Sequence, residues 1–305
     1  MTLNSEVQPL RAWLLLLLLA LIWGSSFLLI KKGLLSFTPD QLAAIRIASA
    51  GFVLLPFILR RFALVQRHHW PKLICVGLVG SFIPAFLFAF AQTELPSGVT
   101  GVLNTFTPLA TLIIGVFLFR QRARLQQWLG VIIGLGGTIL LVTASTGGGF
   151  EFNRYGLLII LATICYGLNL NLIKHHIPDL GALTITGVSL FLVAPPAALY
   201  LFFATPFTEQ FADPQFAFAL TAILILGIIG TAAALIIFNT LVKMTNTTFT
   251  SSVTYLIPIV ALLLGVLDGE PFLVQHGMGM GAILSGVWIA NRRKRKSPAK
   301  AGQKF

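Results

Sequence analysis

Two stretches of the chain decide how it folds: Ser97–Phe119, SGVTGVLNTFTPLATLIIGVFLF, and Thr247–Leu267, TTFTSSVTYLIPIVALLLGVL. Each is apolar over a length that crosses a bilayer, about 20 residues, and each carries a proline near its middle, Pro108 and Pro258. A proline inside a helix has no N–H to give, and its ring pushes away the carbonyl four residues back. Those carbonyls belong to Asn104 and Thr254, so a polar side chain sits where the backbone already lacks a partner. In hydrocarbon an unpaired polar group is costly, and such a spot must face protein or a wet cavity. The two stretches therefore read as two walls of one path, with Pro108 and Pro258 as kink or gating points.

The rest of the composition agrees. The 305 residues are 56% hydrophobic and 10% charged, with a mean hydropathy of +0.90. Soluble domains are roughly a quarter charged. A chain this apolar cannot hide its surface in water, so its first partner is the lipid bilayer. The net charge of +12 would suggest nucleic acid in a soluble protein, but the sequence offers neither a folded basic face nor an aromatic platform. No nucleic-acid partner is expected. Cys75 and Cys165 both lie in apolar runs, and two cysteines make neither a disulfide framework nor a zinc site. No metal is expected.

Ten stretches satisfy the bilayer ruler: Ala12–Ile30, Gln41–Leu59, Pro71–Ala91, Ser97–Phe119, Gln126–Thr143, Tyr155–Lys174, Ala182–Phe203, Phe216–Val242, Thr247–Leu267 and Phe272–Ala290. The expected fold is an all-α integral membrane protein of ten transmembrane helices. The first run could pass for a secretory signal, but it resumes at Phe27 and reaches Ile30, long enough to span. It is expected to stay as a helix. Lys and Arg gather in cytoplasmic loops. Arg60, Arg61, Arg67, Lys72, Arg120, Arg122, Arg124, Lys174 and the tail after Asn291 fall on one side, while Asp40, Glu94, Glu209, Asp213, Asp268 and Glu270 fall on the other. Both termini are therefore expected in the cytoplasm.

The two proline stretches also belong to a longer repeat. Gly98 pairs with Thr248, Thr100 with Thr250, Asn104 with Thr254 and Gly115 with Gly265; after a one-residue shift, Gly130 pairs with Gly279 and Gly137 with Gly286. Trp23-Gly24 aligns with Tyr166-Gly167, Ser26 with Asn169 and Lys31 with Lys174. The chain divides into residues 1–146, residues 147–291 and a basic cytoplasmic tail, 292–305. Five helices per half is odd, so the halves enter the membrane in opposite senses. Inverted repeats of this kind mark secondary transporters, whose sites lie near the midplane.

WGSSF in the first span, AAIRIASAGFVLLPF in the second, the two proline motifs and GEPFLVQHGMGMGAILSGVWI at the end resemble the EamA-type branch of the drug/metabolite transporter superfamily. The resemblance implies a ten-helix carrier, usually in the bacterial inner membrane, often exporting amino acids or other small metabolites. Members often carry an acidic residue after the fourth helix, as Glu270 follows the ninth here; in this chain Arg120 is expected at that place.

The candidate substrate-binding residues are Trp23, Ser26, Asn104, Tyr166, Asn169, Thr254 and Tyr255. Asn104 and Thr254 sit by the freed carbonyls and are expected to face each other across a cavity. Trp23 and Tyr166 offer an apolar ring with a polar edge, which suits a small amphipathic ligand and equally suits helix packing. Arg46 is the one basic residue well inside a span. It reads as a gate or a structural ion pair, satisfied by snorkelling toward Asp40 or pairing with Glu94. No carboxylate lies near the middle of a span, so proton coupling has no midplane carrier. No phosphate-binding loop is present, no catalytic His, Asp or Ser dyad lies deep in the helices, and no cofactor is implied. The reading is a transporter rather than an enzyme, with a channel as the alternative. Gly130-x-x-x-Gly134 and Gly277-x-x-x-Gly281 allow close helix contact, leaving a monomer or a homodimer open.

Overall fold

A computed structural model describes residues 10–143, 153–244 and 253–291, the side chains of residues 142, 239, 242–244, 254, 255 and 291 excepted. Among the described residues every regular element is a helix. In chain order they are α1 (Leu10–Gly33), α2 (Pro39–Ile58), α3 (Trp70–Gly77), α4 (Ile83–Ala91), α5 (Ser97–Asn104), α6 (Thr107–Phe117), α7 (Leu125–Thr143), α8 (Arg154–His176), α9 (Ala182–Ala204), α10 (Phe216–Gly227), α11 (Ala234–Met244), α12 (Val253–Leu267) and α13 (Val274–Asn291).

Among the described residues seven segments are long and apolar enough to cross a membrane: Leu10–Gly33, Pro39–Leu64, Arg67–Ala91, Ser97–Phe117, Arg154–His176, Ala182–Ala204 and Phe216–Phe238. α7, α12 and α13 stand where the sequence places the fifth, ninth and tenth spans. Large apolar side chains such as Leu14, Leu21, Phe57, Ile132 and Ile139 are exposed. In water such a surface would drive association; against lipid tails it costs nothing. Small residues instead line the contacts between helices. A Cβ built on Gly130 would lie 2.3 Å from the Gly286 carbonyl oxygen, and one on Gly137 would lie 2.7 Å from that of Gly279. Residue numbers rise on α7 as they fall on α13, so the two helices cross antiparallel at backbone contact. α2 pairs as closely with α9, α1 runs against α10 and α12, and α8 against α4 and α6.

Three spans are interrupted, each for a local reason. Arg67–Ala91 contains a π-turn over Leu78–Phe82. Pro84 follows it and has no N–H for the carbonyl of Gly80, so the ladder shifts to the wider spacing and Ile83 N donates to Leu78 O. Phe216–Phe238 contains a second π-turn over Ile228–Ala233. It has no proline; the Thr231 hydroxyl donates to the Leu226 carbonyl at 3.1 Å, and the Trp23 indole N–H donates to the Gly230 carbonyl at 3.2 Å. Side chains thus take over backbone partners that the bulge releases.

The third interruption corrects the reading of Pro108. The span breaks into α5 and α6 at Thr105-Phe106, and Pro108 opens α6 at the one part of a helix where its missing N–H is harmless. The Asn104 carbonyl is not left unpaired, because the Thr107 hydroxyl donates to it at 2.8 Å. Pro258 sits inside an unbroken α12. The two proline helices therefore have the same motif and different geometry.

Loops gather in two sets. Lys31 and Lys32 meet Asp268 and Glu270, and the Tyr200 hydroxyl donates to Asp40 at 3.1 Å. At the other end of α2, His69 meets Asp179 at 2.8 Å and the Lys72 ammonium donates to the His176 carbonyl at 2.9 Å.

Candidate functional site

The two π-turns face the two helices that the repeat pairs. The Gly80 position is closed by Asn169, whose side chain lies 2.7 Å from a Cβ built there, and the Gly230 position by the Ser26 hydroxyl at 3.1 Å. Ser26 is buried and donates to the Ile22 carbonyl at 2.8 Å. Asn169 keeps a buried side-chain oxygen without a partner. That atom is costly to leave so.

Aromatic rings enclose the same level. Tyr166 stacks on Phe88 with centroids 6.1 Å apart, Phe88 meets Phe27 at 5.9 Å, and Trp23 meets Phe238 at 5.4 Å. Arg46 enters from α2. A Cβ on Gly227 would lie 2.8 Å from the Arg46 carbonyl, so α10 presses onto α2 there. One turn further on, the Arg46 Nε–H donates to the Thr231 hydroxyl oxygen at 3.2 Å. Tyr166, from α8, lies near the guanidinium. No carboxylate lies within ion-pair distance of it among the described residues. The expected partners are engaged or absent: Asp40 accepts from Tyr200, and Glu94 does not reach Arg46. A charge inside a membrane-spanning helix is costly, and among the described residues one of the five N–H donors of Arg46 has an acceptor.

So the structure brings Trp23, Ser26, Arg46, Tyr166 and Asn169 to one level, joined by Gly80, Gly230 and Thr231. Asn104 makes its described contacts with Thr107. It is half-buried at the α5–α6 break, and α5 lies directly on α12, where a Cβ on Gly101 would sit 2.4 Å from that of Ala261. The contact leaves no cavity between these helices at that point. The side chains of Thr254 and Tyr255 lie outside the described residues. Gly80 and Gly230 stand at the spacing that separates Pro108 from Pro258, a signal present in the sequence and legible only once the π-turns are seen.

One end of the bundle is fastened by charge. The Ser97 and Gly98 amides, at the start of α5, both donate to the Glu270 carboxylate at 2.9 Å, the favourable place for an anion on a helix. Lys31 completes the group, 3.0 Å from Glu270 and 2.7 Å from Asp268. Burial pushes the Glu270 carboxyl up, but the amides of Gly98 and Ser97 and the Lys31 ammonium outweigh it and hold it below the usual range. Hydrogen bonds from Lys31 and Lys32 likewise hold Asp268 down.

The corresponding turn at the other end has an amide in place of the carboxylate, and it corrects the expected alignment. Gln121 N closes on the Gly115 carbonyl at 2.9 Å as Glu270 N closes on that of Gly265 at 2.9 Å. Arg120 has φ 53°, as Gly269 has φ 83°. Gln121, not Arg120, therefore occupies the place of Glu270; the first turn holds one residue more. Gln121 Nε2 donates to Asn171 Oδ1 at 2.8 Å. Asn171 in turn donates to the carbonyls of Thr111 at 3.0 Å and Gly167 at 2.9 Å, tying α6 to α8. Neither residue was singled out in the sequence, since an amide at a helix end carries no distinctive spacing.

The model of the EamA-like transporter family matches this chain twice, over residues 10–143 and 153–292. The chain belongs to that family and is a membrane transporter of the drug/metabolite superfamily. It is similar to an uncharacterized inner membrane transporter of Escherichia coli K12, YedA, 28% identical over 92% of this chain and 91% of that protein. It is also similar to a probable amino-acid metabolite efflux pump of Salmonella typhimurium, 26% identical over 90% and 93% of the two chains. A solved crystal structure shares its fold, with a TM-score of 0.58 at 21% identity, covering 92% of this chain and 96% of that one.

Proposed function

We propose that this chain is a secondary carrier that exports amino acids or related small organic solutes by alternating access between two inverted five-helix repeats. The observation that carries the reading is the antiparallel contact of α7 with α13. Gly130 faces Gly286, which is the repeat mate of Gly137, and Gly137 faces Gly279, the mate of Gly130. Equivalent helices meeting about a two-fold axis in the membrane plane would make this contact. The matching π-turns, the exchange of α1 against α10 and α12 for α8 against α4 and α6, and the double family match support it. In this reading there are ten spans, divided at residues 147–149, with the site at the level of Trp23, Ser26, Tyr166 and Asn169. Asn104, Thr254 and Tyr255 line its continuation, and Pro108 and Pro258 allow the rocking. The name of the E. coli relative supports the inner membrane as location, and the clustering of Lys and Arg in one set of loops supports cytoplasmic termini.

Purified protein in liposomes should carry a member of an amino-acid and metabolite panel down its gradient with saturable kinetics. Conductance without saturation would make it a channel, and no protein-dependent flux of any member would overturn the carrier reading.

A further inference from the structure

We infer that the Arg46 guanidinium is the binding group for a carboxylate on the transported solute, and that Tyr166, Phe88 and Trp23 form the apolar wall beside it. This rests on the carrier reading and narrows its substrate to organic acids, including amino acids held by their carboxylate. Arg46 projects from the second turn of α2 toward the π-turn that follows α10, where the Thr231 hydroxyl takes its Nε–H at 3.2 Å. That bond aims the planar group and leaves its terminal N–H pairs without an acceptor among the described residues. Lys31 and Lys32, by contrast, are both neutralised at the bundle's end. A planar fork of free N–H groups matches a carboxylate with two parallel hydrogen bonds.

Its neighbours are suited to such a ligand. Trp23 is fixed by its bond to the Gly230 carbonyl, Thr231 is fixed by its bond to Leu226, and Tyr166 is stacked on Phe88. Asn169, with its unpartnered buried oxygen, offers an acceptor for the ammonium or hydroxyl that many small organic acids carry. A structural arginine would be met by a carboxylate or by backbone carbonyls of its own chain, and among the described residues the Arg46 guanidinium has neither. In this bundle the described carboxylates are engaged elsewhere or sit at its ends, so the missing charge is supplied by what passes through.

Reconstituted protein in phosphatidylcholine liposomes, in chloride buffer, is assayed for uptake of phenylacetate and L-phenylalanine against their neutral-carbonyl analogues, phenylacetamide and L-phenylalaninamide. Arg46→Gln and Arg46→Lys are measured beside the wild type, with thermal unfolding in detergent to confirm folding. The acids should be carried at least tenfold faster than the amides; Arg46→Gln should lose that preference and Arg46→Lys keep part of it. Equal saturable flux of acid and amide, or acid flux undiminished in folded Arg46→Gln, overturns the assignment and leaves the carrier intact. Absence of saturable flux for these solutes, with saturable flux of neutral members of the amino-acid and metabolite panel alone, overturns the assignment; absence for every member of the panel overturns both. Should Arg46→Gln not fold, the Arg46→Lys variant decides: a preference for acids unchanged from wild type would overturn a bidentate fork.

Discussion

Arg120 occupies a left-handed backbone position, φ 53°, for which a non-glycine residue pays roughly 1–2 kcal/mol. Glycine there would remove that strain and add unfolded-state entropy. Arg120→Gly is therefore expected to be neutral or about 1 kcal/mol more stable, read from thermal unfolding in detergent. Gly269→Ala, at φ 83°, should go the other way. Glu270 is the more consequential residue of that pair of turns. Its carboxylate accepts two backbone amides and the Lys31 ammonium, so Glu270→Gln should cost about 1.5–3 kcal/mol. The pH dependence follows from the lowered Glu270 and Asp268 carboxyls. A carboxyl held down in the fold contributes fully above its unfolded pKa and loses that contribution as pH falls through the folded value. The unfolding temperature should drop on acidification below about pH 4, and drop less in Glu270→Gln. An equal drop in both would exclude Glu270 as a cause.

Among the elements, the α5–α6 break shows how a membrane helix tolerates a proline. The carbonyl freed at Asn104 is taken by the Thr107 hydroxyl at 2.8 Å. Thr107→Val keeps the shape and removes the donor, so the carbonyl is left bare at a cost of about 1–3 kcal/mol. A loss below about 0.5 kcal/mol would mean that another group satisfies it. The α7–α13 crossing tests packing instead. A Cβ at Gly130 would lie 2.3 Å from a backbone oxygen, which no rotamer change relieves. Gly130→Ala is expected to destabilise by about 1–3 kcal/mol, visible in thermal unfolding and in expression level. Gly136 has open space around it, and Gly136→Ala is the control that should do no harm.

Across the whole molecule, apolar run length made the all-helical, membrane-crossing character readable. Leucine-rich spans have few ways to fold in lipid, and Gly130, Gly137, Gly279 and Gly286 sit at matched spacings because helices must touch there. The site was readable only in part. Trp23, Ser26, Tyr166 and Asn169 stand out in the sequence because they align between the halves, whereas their meeting with the two π-turns shows only in the fold. Arg46 was visible as a charge in a span, but its lack of a carboxylate depends on three helices meeting, which one-dimensional spacing cannot convey. The π-turns escaped because only the first has a proline to announce it, and Asn104 misled because its carbonyl's replacement partner lay three residues on. If the halves rock against each other, cysteines placed at Lys31 and Glu270 in a Cys75→Ser, Cys165→Ser background should stop flux when bridged by a short bifunctional thiol reagent. Unbridged protein should still transport; flux unaffected by the bridge would exclude movement at that end.

The extra residue in the Arg120 turn means that the two faces of the protein are latched by different physics. On one face Glu270 and Asp268 hold two lysines; on the other, Gln121, the neutral isostere of glutamate, holds Asn171. Salt weakens the first kind of latch and barely touches the second. If the halves rock, the two faces should respond unequally to salt: raising the ionic strength on the Glu270 side should change opening more than raising it on the Gln121 side, where His69 and Asp179 form an ion pair.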